Sequence, residues 1–120
     1  MKMLPPEASS EVRQAILEAL KSNDDDPPYS IYDDGRRFLE AHGFDPEGVV
    51  LDVVDYLEEG CRLYLLQGET IKGAKYQCCL RYDQGMDIHV KLTPRCDGSE
   101  GFHVKLGFHR HNTGYDPLPC

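Results

Sequence analysis

The sequence lacks the features that would identify an enzyme class or a compartment directly. It has no apolar run long enough to cross a bilayer, and its opening MKMLPP lacks the apolar core of a signal peptide. It contains no Gly-x-Ser-x-Gly, no phosphate-binding glycine loop and no Cys-x-x-Cys. Its five cysteines, an odd number, indicate no disulfide framework, so reduced thiols are expected. We therefore predict a cytoplasmic protein with no membrane contact, no cofactor and no metal.

Charge is divided unevenly along the 120 residues. Residues 1–60 carry 5 Lys and Arg against 15 Asp and Glu, a net of −10. Residues 61–115 carry 8 against 5, a net of +3, and Asp116 completes the total of −8. Acidic helices that keep a small protein soluble account for the first half. The basic second half suggests an anionic partner.

The chain begins with signals for a helix and a linker. A helix capped by Ser9 or Ser10 and ending near Lys21 carries a narrow apolar stripe. The polar, proline-containing segment 22–28 follows as a possible hinge, so this helix is expected to dock loosely. We predict one domain in three parts: a leader helix with a flexible acidic linker over 1–28, a core over 29–114 and a tail over 115–120.

Two further helices are predicted before the strands. Ser30 with Asp33 resembles a capping box, which predicts a short helix from about Tyr32 to His42. The sequence Asp-Pro-Glu at 45–47 is a strong helix start, and Gly60 ends the helix that follows. This last helix contains many β-branched residues, so tertiary packing must stabilise it.

Alternating apolar and polar residues indicate three strands in the second half. The runs begin at Tyr76, Met86 and Phe102, and short turns make them antiparallel neighbours. Residues 61–66 are predicted as a preceding strand, and Pro94 is expected to end the second run. The predicted fold is α+β, with two to three N-terminal helices packed on one face of an antiparallel meander of three to four strands.

The polar phase of these strands collects histidine, lysine and arginine. Residues of one phase lie side by side in antiparallel neighbours, so His89 and Lys91 are expected beside His103 and Lys105. Acid–base groups with fixed positive charge are what metal-free RNA cleavage requires. The predicted catalytic residues are Arg81, His89, Lys91, His103, Lys105 and His109, and the predicted RNA-binding residues are Lys72, Lys75, Arg110 and His111.

Other interpretations of this polar phase stay open. Exposed strand positions are usually polar, and a single histidine there is most often only solvated. His109 and His111 project from one face and could bind a metal, but no carboxylate or cysteine at ligand spacing completes the site. The alternative function is a non-catalytic protein-binding module that uses the sheet face or an edge strand.

Residues 33–111 also resemble a known family. The segments DDGRRFLEAHGFDPEGVVLDVVDYLEEG, KGAKYQCCLRY, MDIHVKLTP and GFHVKLGFHRH are similar in order and pattern to RelE-like ribonuclease toxins of bacterial toxin–antitoxin systems, particularly the BrnT and MqsR branches. The resemblance implies an mRNA endonuclease (an mRNA interferase) that uses Lys, Arg, His and Tyr side chains on its sheet. It also implies two partners, RNA and a cognate antitoxin protein.

Overall fold

A computed structural model describes residues 6–60, 62–66, 75–82, 86–97 and 101–111. Within these residues three helices pack on one face of a five-stranded mixed sheet, which confirms the predicted α+β fold class. The elements are α1 (Ser10–Leu20), β1 (Tyr29–Ile31), α2 (Asp33–Ala41), α3 (Pro46–Glu58), β2 (Tyr64–Leu65), β3 (Tyr76–Arg81), β4 (Asp87–Asp97) and β5 (Gly101–Arg110).

Local capping chemistry determines where α1 and α3 begin. The Ser9 side chain accepts a hydrogen bond from the Val12 backbone N–H at 3.3 Å. The Asp45 carboxylate accepts one from the Gly48 N–H at 3.2 Å, with proline in the first helical turn. Gly60 follows α3 with φ of 87°, a left-handed conformation that glycine adopts without steric cost. Both helices therefore lie where the sequence predicts them.

The start of α2 differs from the prediction. Tyr32 occupies the N-cap position without a side-chain hydrogen bond, and Ser30 lies in β1 instead of capping the helix. β1 pairs in parallel with β5, with Tyr29 opposite Val104. A strand of three residues is too short for alternation to identify it, so the sequence did not indicate this fifth, parallel strand.

The strands are arranged in the order β1-β5-β4-β3-β2. β2 to β5 form the predicted antiparallel meander, although the strand predicted over 61–66 is reduced to two residues. The segment before α1 pairs with the outer edge of β2. Glu7 forms a bridge with Tyr64, and the Ala8 N–H donates to the Leu63 carbonyl at 2.8 Å.

β4 continues through Pro94, where the sequence-based prediction ended it. Pro94 lies opposite Val104, whose N–H donates to the Pro28 carbonyl at 3.0 Å, away from β4. Pro94 and Val104 therefore form a non-hydrogen-bonded pair, and the proline nitrogen faces away from β5. The described pairing of β3 with β4 ends at Leu92, opposite Tyr76. The missing N–H of proline thus costs no hydrogen bond to either strand in this part of the sheet.

The core lies between the three helices and the apolar face of the sheet. Ile16 is fully buried and Leu20 is 3% exposed, so α1 is part of the core, whereas the flexibility of the linker that follows it stays a prediction. Burying each such side chain stabilises the fold by about 1.5–3 kcal/mol. At its C-terminal end α1 also forms an ion pair with α3, with Lys21 Nζ 2.9 Å from a Glu58 carboxylate oxygen. Among the described helices, none is long and apolar enough to cross a bilayer.

Gly35 allows α2 to rest directly on β5. A Cβ atom at this position would lie 2.8 Å from the backbone nitrogen of Phe108, which is closer than real Cβ contacts. The helix and the strand therefore meet where no side chain separates them, and this contact fixes the height of α2 above the sheet.

We predict that Gly35→Ala lowers the free energy of unfolding by about 1–3 kcal/mol, because the added methyl forces α2 away from the backbone of β5. Alanine has a higher helix propensity than glycine, so any loss must come from this clash. The measurement is the urea midpoint. Glu40→Ala, at an exposed position of the same helix, is the control and should change stability by less than about 0.5 kcal/mol. Equal midpoints for the two variants would contradict the contact.

Candidate functional site

The polar face of the sheet is arranged in rows that cross the strands. Side chains of one face recur at every second residue, so neighbouring rows lie about 7 Å apart. Starting from the end of β3, the rows contain Arg81, Asp87 and His111; then Cys79, His89 and His109; then Gln77, Lys91, Gly107 and Tyr32; then Thr93, Lys105 and Ser30; and finally Arg95 and His103.

These rows correct the predicted neighbours of His89. His109 lies opposite His89, whereas His103 lies opposite Arg95. Six residues of β4 separate His89 from Arg95, so His103 is about 20 Å from His89 along the sheet. Alternation assigns each residue to a face, but the turn sets the register, and residues near the turn pair with each other. The four residues predicted to cluster are therefore spread over four rows.

Three histidines come together at one end of the face. The ring centroids of His89 and His109 are 4.6 Å apart, and those of His89 and His111 are 6.2 Å apart. His89 is only 1% exposed and Gln77 is fully buried, while His109 and His111 are partly exposed. Alternation alone suggests that every side chain of the polar face is exposed to solvent, but Gln77 and His89 are buried. Within the cluster His89 is buried, and the two histidines that reach solvent are His109 and His111.

A buried hydrogen-bond chain orients His89. The Gln77 side-chain amide donates to the Leu65 carbonyl at 3.3 Å, which can only accept. The Gln77 Oε1 atom therefore faces His89 and accepts from its Nε2 atom at 2.9 Å. In neutral His89 the proton is then on Nε2 and the lone pair is on Nδ1.

At the opposite end of the face, two side-chain contacts join β5 to β1 and to Tyr32, the residue that follows β1. The Ser30 hydroxyl lies 3.1 Å from His103 Nε2. The Lys105 ammonium lies 4.8 Å from the centroid of the Tyr32 ring, a cation–π contact. Sequence reasoning missed Ser30, Tyr32 and Gln77 as site residues, because only the β1–β5 and β3–β4 registers bring them to the histidines and lysines.

The remaining predicted residues are dispersed. Arg81 lies on the polar face, with its guanidinium 3.8 Å from the Asp87 carboxylate. Lys75 precedes β3 and is partly exposed, and Lys72 lies outside the described residues. Arg110 is exposed but belongs to the opposite phase, because it lies across from a core residue of β4. Arg110 therefore does not extend the histidine cluster.

The cysteines differ in state. Cys78 is a buried, reduced thiol in the apolar phase, as expected. Cys79, beside His89 on the polar face, is disulfide-bonded, so the prediction of reduced thiols is wrong there. Because disulfides persist mainly in oxidising compartments, the cytoplasmic location stays a prediction. Among the described residues, no three His, Cys, Asp or Glu side chains are placed to hold a metal ion.

A cleft lies between α3 and β3. Its volume is about 300 Å³, and acidic residues of α3 line it together with Tyr82. The Tyr82 hydroxyl donates to the Asp52 carboxylate at 2.5 Å, and burial with this hydrogen bond raises the pKa of Tyr82. Tyr82 is therefore held in its neutral form as a structural link to α3, and the polar face is the better candidate site.

Comparison with known proteins adds no relative: no family model, curated protein or solved structure matches this chain. The resemblance to RelE-like toxins therefore stays a prediction. What the described residues define is an α+β protein with a histidine cluster and flanking lysines on the sheet face away from its helices.

We predict that Gln77→Leu lowers the free energy of unfolding by about 1–3 kcal/mol, because leucine cannot accept the buried N–H of His89. The measurement is urea unfolding, together with a nitrogen NMR spectrum that reports the proton on His89 Nε2 in the unmodified protein. Gln14→Leu is the control, because Gln14 is exposed on α1. It should change stability by less than about 0.5 kcal/mol. Similar losses in the two variants would argue against the hydrogen bond.

Proposed function

We propose that the protein is a metal-independent endoribonuclease whose acid–base pair is His109 and His111. The observation that carries the proposal is the placement of these two partly exposed histidines on one strand face, with buried His89 behind them and Lys91 in the row beyond His109. Alternate residues of a strand lie about 7 Å apart. That spacing accommodates one phosphodiester between the two imidazoles.

The chemistry follows from this arrangement. A neutral imidazole removes the proton of a ribose 2′-hydroxyl, and the 2′ oxygen attacks the adjacent phosphorus. The bond from phosphorus to the 5′ oxygen breaks, and the second imidazole, in its protonated form, donates a proton to that oxygen. The products are a 2′,3′-cyclic phosphate and a 5′-hydroxyl. The exposed ammonium of Lys91 stabilises the negative charge that builds up on the phosphorane oxygens.

The buried position of His89 gives it a different role from the one predicted. Its Nε2–H donates to Gln77, and its ring contacts that of His109, so it positions His109 without reaching the RNA. His103 is about 20 Å away and cannot act on the same phosphate. Lys105 lies two rows from His109 and is better placed to bind the RNA chain than to take part in the reaction.

A toxin role, with an antitoxin that covers the polar face, rests on the sequence resemblance, whereas a cytoplasmic location rests on the lack of a signal-peptide pattern. Growth arrest on expression, relieved by the product of a neighbouring small gene, would support it. The alternative of a strand-addition module has less support, because Glu7 already pairs along the outer edge of β2 and β1 offers only three residues.

We predict that the purified protein cleaves single-stranded RNA in EDTA and leaves cyclic phosphate ends. His109→Ala and His111→Ala should each reduce the rate by about 10²–10⁴, because each removes one partner of the acid–base pair. Lys91→Gln should reduce the rate by about 10²–10³.

His42→Ala is the matched control for this experiment. His42 lies at the end of α2, where its ring packs on Phe38, and its loss should leave cleavage unchanged. Full activity of both His109→Ala and His111→Ala would overturn the proposed acid–base pair. Failure of the unmodified protein to cleave any single-stranded RNA would overturn the proposed function.

A further inference from the structure

Gly107 leaves a notch in the polar face. Along β5 the notch is bounded by His109 and Lys105, and across the strands by Lys91 and Tyr32. A Cβ atom at Gly107 would lie 3.7 Å from Tyr32 Cδ2 and 3.8 Å from Lys91 Cβ. The notch is therefore about one side chain wide, and its floor is the backbone of β5.

The walls of the Gly107 notch combine positive charge with an aromatic ring. Lys91 is exposed, and the ammonium of Lys105 lies 4.8 Å from the Tyr32 ring centroid. Tyr32 is 40% exposed. Among the described residues, Tyr32 and Leu51 are the two large apolar side chains at the surface. A cation–π contact with Lys105 does not by itself require the Tyr32 ring to be exposed to solvent. An exposed ring beside lysines is the arrangement by which proteins bind unpaired nucleotides, since the base stacks on the ring and cations hold the phosphate.

We propose that the Gly107 notch binds one unpaired nucleotide of a single-stranded RNA, with its phosphate against Lys105 and its base on Tyr32. The inference rests on the proposed ribonuclease function and adds the substrate class. Gly107 lies three residues from the midpoint between His109 and His111, about 10 Å along β5. That distance corresponds to about three stacked nucleotides, so one strand reaches both places. A duplex does not fit, because its bases are already stacked on each other.

Gly107 offers a test that leaves the fold intact. Its backbone is not in the left-handed region, and the contacts of an added Cβ atom are ordinary van der Waals distances. Gly107→Val therefore fills the notch with a side chain that favours strands. Its melting temperature should equal or exceed that of the unmodified protein.

The experiment measures binding of a short, labelled 2′-O-methyl RNA strand by fluorescence anisotropy. This strand has no 2′-hydroxyl and cannot be cleaved, so binding is read independently of catalysis. Gly107→Val and Tyr32→Ala should each weaken binding roughly ten-fold or more, because each prevents stacking on the ring. Tyr32→Phe should bind within about two-fold of the unmodified protein, since its ring is retained. Leu51→Ala is the control, because it removes the other exposed apolar side chain from α3, and it should bind normally.

Two competitors identify the source of the nucleotide. The same sequence as a duplex, and adenosine monophosphate alone, should both compete at least ten-fold more weakly than the single strand. Equal competition by the duplex or by the free nucleotide overturns the assignment to single-stranded RNA. Unchanged binding by folded Gly107→Val overturns the notch itself. If instead binding depends on the notch but unmodified RNA is not cleaved, the ribonuclease function fails and the binding site stands.

Discussion

The pairing of β4 with β5 is the constraint on which the rest of the structure depends. It runs for ten residue pairs, from Ile88 opposite Arg110 to Asp97 opposite Gly101. One face of the pair supplies the floor on which the helices pack, and the other carries the histidines and lysines. Because the two faces alternate strictly, a shift by one residue would exchange them and put lysine into the core. The hydrophobic burial that stabilises the fold therefore also determines which polar side chains share a surface.

The charge asymmetry of the sequence becomes an asymmetry between two sides of the molecule. The acidic residues of α2 and α3 are exposed on the helical side, whereas Lys91 and Arg95 are exposed on the opposite face of the sheet. A polyanion would be repelled from the first side and attracted to the second, over distances set by the ionic strength. The overall charge of −8 therefore describes neither side, because the acidic and the basic side chains lie on different surfaces.

Local signals in the sequence were sufficient for the helices and for the face that each strand residue takes. Ser9 and Asp45 cap helices where predicted, and the alternating runs became β3, β4 and β5. The predicted pairing of His89 and Lys91 with His103 and Lys105 was wrong, because alternation is equally compatible with shifts of two residues. β4 can continue through Pro94 because the proline nitrogen faces away from β5. That direction is known only once the pairing of the two strands is known.

The buried Gln77–His89 pair on the polar face has a consequence for how the chain finds its native pairing. A slip of β3 against β4 by two residues would keep every apolar side chain on the helical side, so burial of apolar surface would hardly oppose it. In the direction that puts Gln77 opposite Thr93, such a slip would separate Gln77 from His89 and leave polar atoms buried without hydrogen bonds. The Gln77–His89 hydrogen bond therefore favours the observed alignment over one that burial of apolar side chains alone would permit.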